Sequence, residues 1–230
     1  YLSYGEPNWR GNKAGTAVAR GRLGEHGLED VEVLFRQEPK LSHGTHIGSR
    51  IAFDAHGMLF VSAGDNRVAD KAQLLDHLQG KLVRLHPDGG IPADNPFVAR
   101  EGARPEIWSY GHRNPQGLAF HPVTGDLWAN EHGPQGGDEL NLILPGRNYG
   151  WPVIGYGANY GSGSAIHEST HREGMEQPVH YWVPSIATSG LLFYTGDAFP
   201  EWRGDFFVGG LAGEQLARLE VDGRRVVNEE

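Results

Sequence analysis

The chain has 230 residues, 34 of them Gly and 14 Pro, with no Cys, 38% hydrophobic residues and a net charge of -9. Gly plus Pro make up about one residue in five, against about one in eight in average usage; that argues against a helical bundle or long coiled coils, and no apolar run reaches the ~18 residues of a membrane span. The negative charge, without any run of Lys or Arg, argues against nucleic acid as a partner, and the lack of Cys excludes disulfides, iron–sulfur clusters, thiolate zinc and thiol catalysis.

The chain opens YLSYGE, which reads as the inside of a strand and carries no signal peptide. Residues 1–5 and 16–36 are expected to supply the later strands of one β unit. Similar units follow, opening at 49–53 (SRIAF), 116–120 (QGLAF) and 189–193 (SGLLF), with Phe53, Phe120 and Phe193 spaced 67 and 73 residues apart. A second strand is predicted in each at 58–62, 126–129 and 205–208, and a third at 81–85, 139–144 and 215–219. The first two units offer a fourth strand, at 106–110 and 179–183; the last, ending in 221–230, is expected to stop after its third.

A four-stranded unit recurring at a near-fixed period is the pattern of β-propeller blades; an irregular β-sandwich is the plainer alternative. The period exceeds the roughly 40–50 residues of a minimal blade, so long loops are expected at 66–80 and 146–177. The first is predicted to hold a helical turn over 69–78, with Leu74, Leu75 and Leu78 on one face. The expected total is about three and a half blades. Residues 1–230 therefore read as a single all-β propeller domain, an internal piece of a larger ring.

Chemistry concentrates in four loops. In 43–50 (HGTHIGSR), His46 precedes an inner strand, and Asp65 follows the strand paired with it. Antiparallel pairing brings such ends together, and a carboxylate-held imidazole is what a general base needs. Surface-loop histidines are the alternative, and His43 with His46 as metal ligands a weaker one. In 110–117 (YGHRNPQG), Arg113 and Asn114 suit carbonyl and carboxylate oxygens, or else bond loop carbonyls. The run 130–141 (NEHGPQGGDELN), leading to 146–152 (GRNYGWP), mixes carboxylates with Gly and Pro carbonyls as Ca2+ sites do, without EF-hand spacing; a solvated acidic turn is the alternative. The tyrosines of 155–163 (GYGANYGSG) either stack on a flat ligand or pin their loop. Phosphate loops, the dinucleotide glycine fingerprint and the serine-hydrolase elbow are absent from the sequence.

Together, HIGSR with Gly64-Asp65, YGHRNPQG and the acidic loop running to NYGWP resemble the soluble quinoprotein family of glucose and aldose sugar dehydrogenases, most of all its bacterial aldose sugar dehydrogenase branch. The resemblance spans nearly the whole chain. It implies a six-bladed propeller that oxidises the anomeric carbon of aldoses to lactones, using pyrroloquinoline quinone and Ca2+, with an external electron acceptor and a periplasmic or secreted location. A monomer or homodimer is expected, with no nucleic acid partner and no membrane span.

The same resemblance assigns roles. His46 is similar to the general base and Asp65 to its orienting carboxylate. Arg113 matches the residue beside the quinone oxygens, and Asn114, Tyr160 and the stretch Leu211, Ala212 and Gly213 match cofactor contacts. Gly133 and Pro134 match the carbonyls holding the catalytic Ca2+, and Glu139 and Tyr149 a second Ca2+ site. Two departures stand out. Ala212 replaces a basic residue frequent in the family, and Thr45 and Ile47 differ from the polar neighbours of the base in glucose dehydrogenases. With so few cations for a tricarboxylate cofactor, the 230 residues alone are expected to bind the quinone weakly or not at all. A calcium-dependent propeller lactonase, a non-catalytic propeller binding module and a degenerate dehydrogenase homologue are the competing readings.

Overall fold

Residues 59–63 (LFVSA) are buried at every position, as strands are when both faces of their sheet are covered. Leu59 and Val61 point into one core cluster and Phe60 into another, the period-2 alternation of a strand with a hydrophobic neighbour on each side. The computed structural model describes residues 1–41 and 44–230, so His43 lies outside the described residues.

Four antiparallel sheets account for the strands. The first holds β1 (Leu2–Pro7), β2 (Ala14–Gly24) and β3 (Gly27–Arg36). The second runs outward from β4 (Gly48–Phe53) through β5 (Leu59–Ala63) and β6 (Lys81–Leu85) to β7 (Ile107–Tyr110). The third repeats this with β8 (Pro115–Phe120), β9 (Leu127–Glu131), β10 (Asp138–Ile143) and β11 (His180–Trp182). The fourth does so with β12 (Thr188–Phe193), β13 (Phe206–Gly210), β14 (Gln215–Asp222) and β15 (Arg225–Glu229). Inner strands β4, β8 and β12 pack in succession, and the sheets are blades of a β-propeller.

Separate core clusters fill the gaps between blades. Val18 and Phe35 meet Leu59 and Val61; Phe60 and Leu82 meet Leu118 and Ala129; Trp128 and Leu140 meet Phe193 and Phe206. The last blade corrects the sequence expectation, since β15 is a fourth strand paired with β14. Its only apolar pair, Val226 and Val227, stands between Arg225 and Asn228, too weak a pattern to read beforehand. The helical turn also falls short. A 3-10 turn covers Ala69–Gln73 and ends at Leu74, whose side chain stays exposed while Leu78 is buried.

Antiparallel order puts the outer-to-inner connections and the loops between second and third strands at the same end of every blade. Each inner strand begins with a bulge, at Gly48/Ile51, Pro115/Gly117 and Thr188/Leu191, which re-aims the chain at this face. Among the described residues, His46, Asn66, Arg67, Ala187 and Glu214 in its loops hold left-handed backbone conformations. Such conformations cost a non-glycine residue roughly 1–3 kcal/mol and collect at functional sites.

Candidate active site

The register Gly48↔Ala63 between β4 and β5 carries His46 and Asp65 past the paired strands to a meeting point. His46 Nδ1 lies 2.7 Å from Asp65 Oδ1. The contact needs Gly64, because a Cβ there would overlap the His46 carbonyl. Asp65 is buried, with 1% of its side chain exposed against 12% for His46. Its Oδ1 also accepts the Arg67 backbone N–H at 2.9 Å, and its Oδ2 accepts the Trp151 indole N–H at 2.8 Å. With Nδ1 donating to the carboxylate, His46 Nε2 is left with a bare lone pair.

Arg113 follows β7 and is held from beneath. The Asp65 N–H donates to the Arg113 carbonyl at 2.8 Å, the guanidinium donates to the His132 carbonyl at 3.1 Å, and Arg113 Cζ sits 5.2 Å from the Trp151 ring centroid. Burial weakens the cation's hold on its proton, while Asp65, Tyr160 and Glu131 act in the opposite sense. Its buried Nε has no hydrogen-bond partner among the described residues.

Glu131, at the end of β9, organises the floor. One carboxylate oxygen accepts the Arg113 N–H at 2.6 Å; the other faces His112 Nδ1 at 2.9 Å. His112 in turn meets the Ser109 hydroxyl at 2.9 Å and stacks on Tyr149 with ring centroids 4.6 Å apart. This imidazole is fully buried, so the Ser–His–Glu sequence is a structural chain and not a nucleophilic triad.

The acidic loop turns over this floor. Asp138 accepts the Gly133 N–H at 2.9 Å and the Ser185 hydroxyl at 2.7 Å. Glu139 accepts from the Asn141 amide at 3.1 Å. Burial, reinforced by the charges of Glu131 and Asp138, pushes Glu139 up to about 8 against that hydrogen bond. The carbonyl oxygens of Gly133 and Pro134 accept no hydrogen bond among the described residues. A cavity of about 20 Å³ is lined by Arg113, Glu131, Gly133, Pro134, Glu139, Tyr149, Trp151 and His167, among others. That volume holds a single water or ion.

The full chain, residues 1–230, matches the model of the family described as Glucose / Sorbosone dehydrogenase. The chain belongs to that family. It is 50% identical over 233 residues to Aldose sugar dehydrogenase YliI of Escherichia coli, covering 100% of this chain and 62% of that one. A crystal structure described as glucose dehydrogenase superposes with a TM-score of 0.96 at 53% identity, covering 100% of this chain and 67% of that one. The PQQ-bound form of Aldose Sugar Dehydrogenase from Streptomyces coelicolor gives 0.75 at 29% identity, covering 99% and 61%. The chain spans 62% and 56% of the length of two curated relatives that it matches.

Within this glucose/sorbosone dehydrogenase scaffold the two most specific motifs are joined. The Tyr149 N–H donates to Tyr110 O at 2.8 Å and the Trp151 N–H to Gly111 O at 2.9 Å, which lays NYGWP against YGHRNPQG. A reciprocal amide pair, Gln73 with Asn148 at 2.8 and 3.0 Å, ties the 66–80 loop to the same segment.

Not every candidate from the sequence lines the cavity. Arg113, Gly133, Pro134, Glu139 and Tyr149 do; His46, Asp65, Asn114, Tyr160 and Leu211, Ala212 and Gly213 do not. The Asn114 side-chain oxygen is taken by the Gly48 N–H and the Gln116 amide at 3.1 and 3.0 Å. Tyr160 and Leu211 are each 67% exposed, and Leu211 and Ala212 donate to the carbonyls of Ala187 and Ile186 on the same face. The Tyr149 hydroxyl is consumed by Leu142 O and the Leu144 N–H at 2.6 and 2.8 Å, so only its backbone carbonyl is free for a cation.

Residue-type and motif reasoning gave no role to Trp151, Glu131 or His167. Trp151 and Glu131 lie inside quoted motifs, but their geometric partners are 86 and 18 residues away. His167 lies in a long loop with no pattern around it.

Proposed function

We propose that this chain carries the catalytic face of a quinoprotein sugar dehydrogenase that oxidises the anomeric carbon of an aldose to its lactone. The observation that carries the reading is the His46–Asp65 pair, buried on its acid side, set one indole ring away from a buried arginine. Family membership and the PQQ-bound relative support the choice of cofactor.

The donor chemistry fits such a group. Arg113 offers an unpartnered buried N–H to an anionic oxygen, and the free Gly133 and Pro134 carbonyls are the hard oxygens Ca2+ takes. Glu139 with the Tyr149 carbonyl offers a second hard-oxygen pair. Among the described residues no three His, Cys, Asp or Glu side chains converge as a metal-binding group, so a cation here rests mainly on carbonyls. Pyrroloquinoline quinone with Ca2+, when bound, supplies the two-electron acceptor that receives the anomeric hydride.

The residues of this chain do the rest. His46 Nε2 removes the proton of the anomeric hydroxyl as the C1–H bond breaks. Asp65 keeps the imidazole in the tautomer that accepts at Nε2 and stabilises the imidazolium that forms. Arg113, fixed by Glu131 and His132, presents positive charge where an oxyanion develops. Asn114, Tyr160 and Leu211, Ala212 and Gly213 border the same face as cofactor contacts. The product is a lactone, and an external acceptor in the periplasm removes the electrons.

The test is reduction of a redox dye by the holoenzyme with quinone, Ca2+ and an aldose. Dye reduction with lactone formation is expected. Lactone hydrolysis without dye reduction would instead establish the lactonase reading.

A further inference from the structure

Gln73 is the last residue of the 3-10 turn in the 66–80 loop. Its Nε2 donates to the Trp151 carbonyl at 2.7 Å and to the Asn148 side-chain oxygen at 3.0 Å. Its Oε1 accepts from the Asn148 amide at 2.8 Å. Among the described residues no other group donates to the Trp151 carbonyl. The Trp151 N–H is held separately, by Gly111 O at 2.9 Å. Gly111 permits this close approach, since a Cβ there would overlap the Asn148 side-chain oxygen. The Trp151 backbone is thus clamped on both sides of its Cα, and its indole reaches Asp65 and Arg113.

The turn that carries Gln73 is itself pinned. Lys81, the first residue of β6, is fully buried. Its ammonium donates to the carbonyls of Lys71, Ala72 and Gln79 at 3.0, 2.9 and 2.6 Å. Three carbonyls use all three N–H donors of an ammonium. The Ala72 carbonyl also accepts the Gly111 N–H at 3.0 Å. Turn, lysine and Gly111 therefore fix the point from which Gln73 reaches Trp151.

We propose that Gln73 is a positioning residue that seats the Trp151 indole against Asp65 and so orients His46 for proton removal. This rests on the dehydrogenase reading above. Without Gln73 the Trp151 carbonyl loses its donor and the peptide that follows is free to shift. A displacement of about 1 Å in a positioning group is enough to lower turnover.

Gln73→Met keeps the length of the side chain and removes its donors and acceptor. Two readouts are combined. One is 15N NMR of the Trp151 indole and the His46 ring, with Trp151→Phe identifying the indole signal. The other is a double-mutant cycle on the holoenzyme with quinone, Ca2+ and an aldose, over Gln73→Met and Trp151→Phe. Gln73→Met should shift the Trp151 and His46 signals and leave the other indoles in place. It should lower kcat about fivefold, with KM changed less than about twofold. In the Trp151→Phe background it should lower kcat by less than about 1.5-fold more.

Unmoved Trp151 and His46 signals overturn the inference. So does an equal loss of kcat in both backgrounds, which marks a role in holding the loop alone, or no loss in either. If wild type oxidises no aldose but both signals move, the positioning of the pair stands and the dehydrogenase reading alone fails. If wild type oxidises no aldose and neither signal moves, both fall. Should Gln73→Met fail to fold, Gln73→Glu is read in the same way, since it keeps the acceptor for Asn148 and removes the donor to Trp151.

Discussion

Trp151 donates its indole N–H to the Asp65 carboxylate across 2.8 Å, and the other oxygen of that carboxylate holds His46. One indole thus fixes the base pair through its edge while its face carries the Arg113 guanidinium. Trp151→Phe keeps the face and deletes the N–H. A hydrogen bond to a charged group contributes about 1.5–3 kcal/mol, so turnover should fall roughly ten- to a hundredfold with cofactor affinity little changed. An unchanged kcat would show that Asp65 needs no second anchor.

His46→Ala should lower kcat at least ~100-fold, the ordinary contribution of a positioned general base. Quinone binding should survive, because His46 is assigned to proton removal and not to the cofactor contacts Arg113, Asn114 and Tyr160. Loss of cofactor affinity together with activity would assign His46 to binding instead.

Gly64→Ala tests the backbone rather than the chemistry. A Cβ at 64 overlaps the His46 carbonyl, and the neighbour is backbone, so relief requires β4 and β5 to separate at their ends. We expect a lower Tm and a loss of activity comparable with His46→Ala. Activity equal to wild type would mean the two loops are free to move apart without cost.

Glu139 gives a pH dependence with a definite sign. Its carboxyl is raised from about 4.5 to about 8 in the folded chain, so the folded state holds that proton more tightly than the unfolded one. The associated stability is present below about pH 4.5 and is lost as pH rises through about 8. A cation bound by the deprotonated carboxylate replaces the proton, so the Tm gain on adding Ca2+ should be larger at pH 8.5 than at pH 6. Glu139→Gln should abolish that difference. An equal gain at both pH values, or one retained in Glu139→Gln, contradicts a role for Glu139 in cation binding.

Blade order was legible in the sequence because each inner strand starts alike and ends in Phe53, Phe120 or Phe193, and because the second strands are continuous apolar runs. β15 was not, since an outer strand is half solvated and needs little apolar pattern. The 69–78 segment misled because Leu74, Leu75 and Leu78 have helical spacing, yet Leu78 is drawn into the core between blades by β6 and the turn stops at Gln73. In the site, His46 and Asp65 were readable because a hairpin brings them together. Trp151 was not: its bond to Asp65 depends on loops from different blades meeting, and no local period records that.

In the proposed reaction His46 takes the hydroxyl proton while the anomeric hydride leaves for the bound quinone. The most direct measurement is single-turnover reduction of the reconstituted holoenzyme by an aldose deuterated at C1, with product analysis. A primary isotope effect on reduction and a lactone as product are expected. Reduction at equal rates for both isotopes with no lactone formed, or no reduction at all with quinone and Ca2+ bound, would contradict the proposed reaction.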